Sequence, residues 1–121
     1  MVSIQQKVLA LNGDEAVALA VKQSDVDVVA AYPITPQTII VERFSEYVAD
    51  GEVDTEFVCT ESEHSALTAC LAASVAGART FTASASAGLA LMHEILYVTS
   101  GCRAPVAVSY THLTLPTKRI V

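Results

Sequence analysis

Short β-branched, apolar runs alternate along this chain with longer stretches of helical periodicity, and that alternation restricts the folds open to it. Residues 7–11, 26–31, 55–59, 79–83 and 105–109 each read as a strand. Helical segments separate them. Strands joined through helices pair in parallel, because an antiparallel partner needs only a tight turn. The Val-Val-Ala-Ala run of 28–31 is apolar on both sides, as a strand covered on both faces must be. The pattern therefore predicts an α/β fold, a mostly parallel sheet with helices on both faces.

The helices carry their own signals. Asn12 or Asp14 can cap a helix running to about Ser24, with Ala16, Val17, Leu19, Ala20 and Val21 apolar. Thr35 suits an N-cap and Pro36 the first helical position, and Ile40, Phe44, Tyr47 and Val48 give the next helix an amphipathic stripe. Asp50-Gly51 closes it. A helix over residues 61–76 is rich in Ala, Ser and Thr and almost uncharged beyond His64, which predicts burial nearly all round. Gly77 ends that helix. Residues 84–88 read as a small-residue loop. The last helix spans 89–100, with Leu89, Met92, Ile95, Leu96 and Thr99 on one side.

Composition narrows the function. The 121 residues suffice for one modest domain. Apolar residues make up 52% and aromatics only 6%, so disorder is disfavoured and the core must be built from Ala, Val, Leu and Ile. The net charge of −6 argues against nucleic-acid binding, which needs clustered Lys and Arg. Eight of the thirteen acids fall between Glu42 and Glu63; the plain reading is a solvated face, and a docking surface for a basic partner is the alternative. Cys59, Cys70 and Cys102 form no C-x-x-C pair, and His64, His93 and His112 lack ligand spacing, so no metal site is expected in this chain. An odd, scattered set of cysteines also suits a reducing cytoplasm. Neither a signal-peptide pattern nor a membrane-length apolar run is seen.

In open parallel sheets, ligands bind beyond the C-terminal strand ends. The loops there are 32–36, 60–63 and 84–88, the most distinctive segments of the chain. Thr60-x-x-Glu63 fits a capping box, which is the plainer reading of Glu63 on spacing alone. The functional reading is a carboxylate held at a partly buried helix start for proton chemistry. Glu61 is the plainer solvent-facing acid. Thr35 is either an ordinary N-cap or a hydroxyl able to donate to a substrate oxygen. No G-x-G-x-x-G and no P-loop is present, and no local Ser-His-Asp arrangement supports a nucleophile. Ser84 and Ser86 read most simply as turn residues, and His93-Glu94 as part of a polar helix face.

Four segments together make the chain recognisable: Tyr32-Pro-Ile-Thr-Pro36, Glu61-Ser-Glu-His-Ser-Ala66, Thr80-Phe-Thr-Ala-Ser84 and Gly88-Leu-Ala-Leu-Met-His-Glu94. They resemble, in order over residues 7–109, the N-terminal domain of 2-oxoacid:ferredoxin oxidoreductase α subunits, in particular those acting on pyruvate. The resemblance implies the pyrimidine-binding domain of a thiamine diphosphate enzyme. It places the activating glutamate on Glu63, which would hydrogen-bond the cofactor's pyrimidine ring, with the cofactor serving as electron sink. Pro33 and Thr35 fall beside the cofactor, and Thr35 would contact the 2-oxoacid. The implied activity is oxidative decarboxylation of pyruvate to acetyl-CoA with electrons passed to ferredoxin. The alternatives are the same chemistry on another 2-oxoacid, or a non-catalytic α/β assembly module. Implied partners are β, γ and δ-type subunits or domains, ferredoxin, pyruvate and coenzyme A. Mg²⁺ with the diphosphate, and the iron–sulfur clusters, would sit on those partners.

Two departures stand out. The family commonly reads Ser-Gln-Gly where this chain has Ser86-Ala87-Gly88. The substrate-carboxylate arginine expected shortly after Ser109 is missing, and neither Arg103 nor Arg119 maps onto it. Residues 1–109 are thus expected to form the N-terminal part of the pyrimidine-binding domain, C-terminally truncated. Residues 110–121, Thr-rich and basic, resemble a translated sequencing adapter. The chain alone is expected to be inactive.

Overall fold

The computed structural model describes residues 6–112. Its elements run α1 (Gly13–Gln23), β1 (Val28–Ala31), α2 (Thr38–Ala49), β2 (Glu56–Cys59), α3 (Glu63–Val75), β3 (Thr80–Ala85), α4 (Ala87–Leu91), α5 (His93–Gly101) and β4 (Val106–Thr111). The four strands form one sheet in the order β2-β1-β3-β4, every pair parallel. The α/β fold read from the alternation is the fold observed.

Strand alternation divides the core into two layers. Val29 and Ala31 of β1 and Phe81 and Ala83 of β3 pack against Ala18 and Val21 of α1 and Ile40, Val41, Phe44 and Tyr47 of α2. On the opposite face Ala30 meets Ala66 and Cys70 of α3, while Leu67, Met92 and Ile95 pack with Val106 and Val108 of β4. Helices therefore cover both faces. The small residues of β1 and α3 let that helix lie close to the sheet.

Several boundaries differ from the sequence reading. Residues 7–11 form no strand, and Val8 is 95% exposed. Both sides of β1 are already paired, to β2 and β3, so this segment has no place beside the strand that follows it. Asn12 caps α1 through a full capping box: its Oδ1 accepts from the Glu15 amide at 2.8 Å and its own amide donates to Glu15 Oε2 at 2.9 Å. The second helix begins at Thr38, with Gln37 in the N-cap position; Thr35 is not its cap and Pro36 is not its first residue. The Thr35–Pro36 peptide is cis.

α3 is buried along one side only, through Glu63, Ala66, Leu67, Cys70 and Ser74, and Val75 is 64% exposed. Gly77, at φ +102°, ends it by turning the Ala78 amide back onto Ala73 O at 3.0 Å. The expected final helix is two, α4 and α5, broken at Met92. Most of the expected loop at 84–88 is regular: β3 continues through Ala85 and α4 starts at Ala87, leaving Ser86 as the turn. β4 reaches Thr111, pairing Ser84 with Tyr110 and Ala85 with Thr111, past the Ser109 boundary drawn from composition. Residues 113–121 of the proposed tail lie outside the described residues. Among the described residues, no helix is long and apolar enough to cross a membrane.

Candidate functional site

Because the strands are parallel, their C-terminal ends lie along one edge. The chain leaves β1 into residues 32–37, β2 into Thr60–Ser62 and β3 through Ser86. Thr60 stitches the first two exits together. Its amide donates to Ala31 O at 3.1 Å, and its hydroxyl to Ala31 O at 3.2 Å and Ser62 O at 3.0 Å. Among the described residues Thr60 accepts from no helix amide, and the Thr60–Glu63 capping box does not form. Ser62 is the cap instead, its Oγ accepting from the Ser65 amide at 3.2 Å.

That shift of cap places Glu63 as the first residue of α3, with 6% of its surface exposed. A carboxylate is electrostatically suited to a helix N-terminus. No side-chain hydrogen bond among the described residues engages the Glu63 carboxylate; Glu61 is the acid that finds one. The Ser65 hydroxyl, 2.5 Å from Glu61 Oε1, and then Glu61's own backbone hold its carboxyl below the ordinary carboxylate range at a fully exposed position.

Glu63 is closed in from the β3 side. A β-carbon on Gly88 would fall 2.6 Å from Glu63 Oε1 and 2.8 Å from Glu63 Cγ, and nearer still to Ser84 Oγ. Three residues from three elements thus converge: Glu63 of α3, Ser84 of β3 and Gly88 of α4. Ser84 Oγ is buried without a partner, as are the hydroxyls of Thr80 and Thr82 on the same side of β3. The chain reaches Gly88 through Ser86, whose φ of +47° and ψ of −117° are unusual for a non-glycine residue. The Ser86 amide donates to Thr111 O at 3.1 Å. Gln37, 3% exposed, ties the same region to α2: its Nε2 donates to Thr111 Oγ1, and its Oε1 accepts from Ser109 Oγ at 3.5 Å.

Of the residues singled out from sequence, Pro33 and Thr35 lie at this same edge, on the exit from the strand adjoining β2, and both are exposed. Among the described residues no hydrogen bond joins either to Glu63. Ser84 was read as a turn residue and is a strand residue; the hydroxyls at every second position, Thr80, Thr82 and Ser84, were the available signal. Gly88 and Gln37 were missed. A glycine in a small-residue segment hinted at the first, and nothing local pointed to the second. Two surface hollows lie elsewhere. One of about 170 Å³ is bordered by Glu42, Arg43 and Glu46, and one of about 270 Å³ by Val17, Val21, Phe81 and Ala107. Neither is lined by Glu63, so the site is assigned by side-chain chemistry at the strand edge.

A parallel sheet covered by helices on both faces, with a carboxylate at a helix start beyond its strand ends, defines an α/β domain with a candidate ligand edge. The family described as pyruvate flavodoxin/ferredoxin oxidoreductase, thiamine diphosphate-binding, matches residues 19–119, and the chain belongs to it. It is 54% identical over 109 residues to the pyruvate synthase subunit PorA of Methanocaldococcus jannaschii, covering 90% of this chain and 28% of that protein. It is 52% identical over 98 residues to the ketoisovalerate oxidoreductase subunit VorA of Pyrococcus furiosus, covering 81% and 25%. A 2-oxoglutarate:ferredoxin oxidoreductase structure from Magnetococcus marinus, with 2-oxoglutarate, coenzyme A and succinyl-CoA bound, superposes with a TM-score of 0.82 at 28% identity. That superposition covers 93% of this chain and 19% of the other. The chain thus spans about a quarter of the length of the curated relatives it matches.

The residues present fit the pyrimidine half of thiamine diphosphate. A carboxyl group with no side-chain partner among the described residues can exchange a proton with a ring nitrogen, and the orphaned Ser84 hydroxyl stands beside it. Among the described residues no cluster of three or more His, Cys, Asp or Glu could hold a metal ion.

Proposed function

We propose that this chain supplies the pyrimidine half of the thiamine diphosphate site in an oxidoreductase that converts pyruvate to acetyl-CoA and passes the electrons to ferredoxin. The observation that carries the reading is Glu63, buried at the start of α3 with its carboxylate unpaired among the described side chains. A carboxylate at a helix start beyond the strand ends, with no side-chain partner among the described residues, is placed to take a ligand.

Bound thiamine diphosphate supplies the electron sink for decarboxylation. Glu63 would share a proton with the pyrimidine nitrogen, donating it to that nitrogen's lone pair and accepting a hydrogen bond back once the proton has passed across. The start of α3 brings Glu63 to the strand edge, and Gly88 leaves room for its side chain. Pro33 packs beside the ring and Thr35 donates to the 2-oxoacid, both from the exposed exit of β1. The diphosphate with Mg²⁺, the iron–sulfur clusters and the coenzyme A site belong to partner β, γ and δ-type subunits or domains. Three free cysteines, one of them buried, suit a reducing compartment such as the cytoplasm.

A second reading keeps the chemistry and changes the acid. The ketoisovalerate relative is nearly as similar, at 52%, as the pyruvate synthase subunit at 54%. A panel of 2-oxoacids separates the two, with pyruvate expected to give the highest kcat/KM. For the reaction itself, Glu63→Ala in the full-length subunit, assembled with its partners, is expected to lower pyruvate-dependent ferredoxin reduction by about 10²–10⁴-fold. Undiminished pyruvate oxidation by that variant would remove the catalytic assignment.

A further inference from the structure

We propose that Ser84 is a positioning residue for Glu63, its hydroxyl donating to one carboxylate oxygen so that the other faces the cofactor. The proposal rests on the reading of Glu63 given above. Ser84 Oγ is fully buried and has no partner. A hydroxyl in that state is unfavourable unless something accepts from it. The group nearest at hand is a carboxylate: Ser84 Oγ and Glu63 Oε1 both crowd the point above the Gly88 Cα where a β-carbon would stand. Lying 2.4 and 2.6 Å from that one point, the two oxygens are at most 5.0 Å apart.

The neighbours do not compete for that hydroxyl. Along the same α3–β3 seam, Cys70 Sγ donates to Phe81 O at 3.3 Å and Ser74 Oγ to Pro105 O at 3.1 Å. Ser84 alone of the hydroxyls on this side of β3 stands at the catalytic carboxylate; Thr80 and Thr82 lie further back along the strand. The chemistry of the donor also suits the task. Lys or Arg would fix the carboxylate but cancel its charge. A serine fixes its direction and leaves it negative.

The test uses the full-length subunit in its assembled oxidoreductase, with Ser84→Ala, Ser84→Thr and Glu63→Gln. Three quantities are read: thiamine diphosphate affinity by calorimetry, exchange of the thiazolium C2 proton in D₂O by quenched NMR, and the KM for pyruvate. A crystal structure of cofactor-free Ser84→Ala reports the Glu63 rotamer directly. Ser84→Ala is expected to slow C2 exchange roughly 10–100-fold, since sub-ångström misplacement carries penalties of that order, while cofactor Kd and pyruvate KM stay within about threefold. Ser84→Thr, which keeps the hydroxyl, is expected to restore exchange, and the cofactor-free Ser84→Ala structure to show Glu63 in more than one rotamer. Should Ser84→Ala fail to assemble, Ser84→Cys, similar in shape but a weak donor, takes its place with the same expectations.

Wild-type exchange in Ser84→Ala beside slow exchange in Glu63→Gln would overturn the role of Ser84 and leave Glu63 intact. Weakened cofactor binding with unchanged exchange would also overturn it, by placing the hydroxyl on the cofactor instead. Wild-type exchange in Glu63→Gln would remove the reading on which the proposal rests.

Discussion

Replacing Gly88 by alanine sets two effects against each other. Gly88 lies inside α4 and its φ is not positive, so the helix itself would gain from the change, by about 1 kcal/mol. The added methyl, however, would stand 2.4 Å from Ser84 Oγ, 2.6 Å from Glu63 Oε1 and 2.8 Å from Glu63 Cγ, where ordinary contacts begin near 3.4 Å. The Ser84 hydroxyl must therefore retreat by about 1 Å and the Glu63 side chain by about 0.6–0.8 Å. Overpacking of this kind costs about 1–3 kcal/mol, which cancels or exceeds the helical gain. The larger consequence is catalytic, because displacing a reacting group by about 1 Å can lower the rate on the order of 10²-fold.

In the assembled full-length oxidoreductase, Gly88→Ala is therefore expected to lower kcat about 10–100-fold. The control is Gly101→Ala: that glycine closes α5 with nothing within 4 Å of an added β-carbon, and it should keep wild-type turnover. Steady-state ferredoxin reduction at saturating thiamine diphosphate reads both. Wild-type kcat in Gly88→Ala, with Glu63 unmoved in its crystal structure, would refute the crowding argument.

Cys70 and Asn12 test the scaffold. Burial pushes the Cys70 thiol from an ordinary 9.0 up to about 11, so at pH 8 a thiol reagent should label exposed Cys59 and Cys102 in the folded chain and reach Cys70 only on unfolding. Because the folded value is the higher one, this thiol's contribution is complete below about pH 9 and is lost as pH rises toward about 11. Its size is about 2–3 kcal/mol, since each tenfold gain in proton affinity is worth about 1.4 kcal/mol. Cys70→Ala should flatten that alkaline decline in denaturant-unfolding stability, and an unchanged decline would assign it to other groups. Asn12→Ala removes the Oδ1 that accepts from the Glu15 amide, leaves the backbone half of the capping box in place, and should cost about 1 kcal/mol. Denaturant titration checks that, and an unmoved midpoint would mean the cap is idle.

Periodicity and capping chemistry, which act within a few residues, were enough to read the alternation, the parallel sheet and the amphipathic stripe of α2. The same local rules misplaced what depends on partners. Residues 7–11 look like a strand, but both sides of the strand that follows them are already paired. Thr60 and Ser62 both suit an N-cap. Ser62 is the cap, accepting from the Ser65 amide, while Thr60 faces the neighbouring strand and donates to Ala31 O.

The site divides in the same way. Sequence placed Glu63 at a helix start beyond a strand end, and the accompanying motifs identified the family to which it belongs. What surrounds that carboxylate was settled only in three dimensions. β2 and β3 are not neighbours; β1 lies between them, and α3 crosses over it. That crossing carries Glu63 to Ser84 and Gly88, while Gln37 is drawn to the end of β4. Such contacts join residues far apart in the chain through sheet order, which no local pattern encodes, and they decide how closely the carboxylate is held.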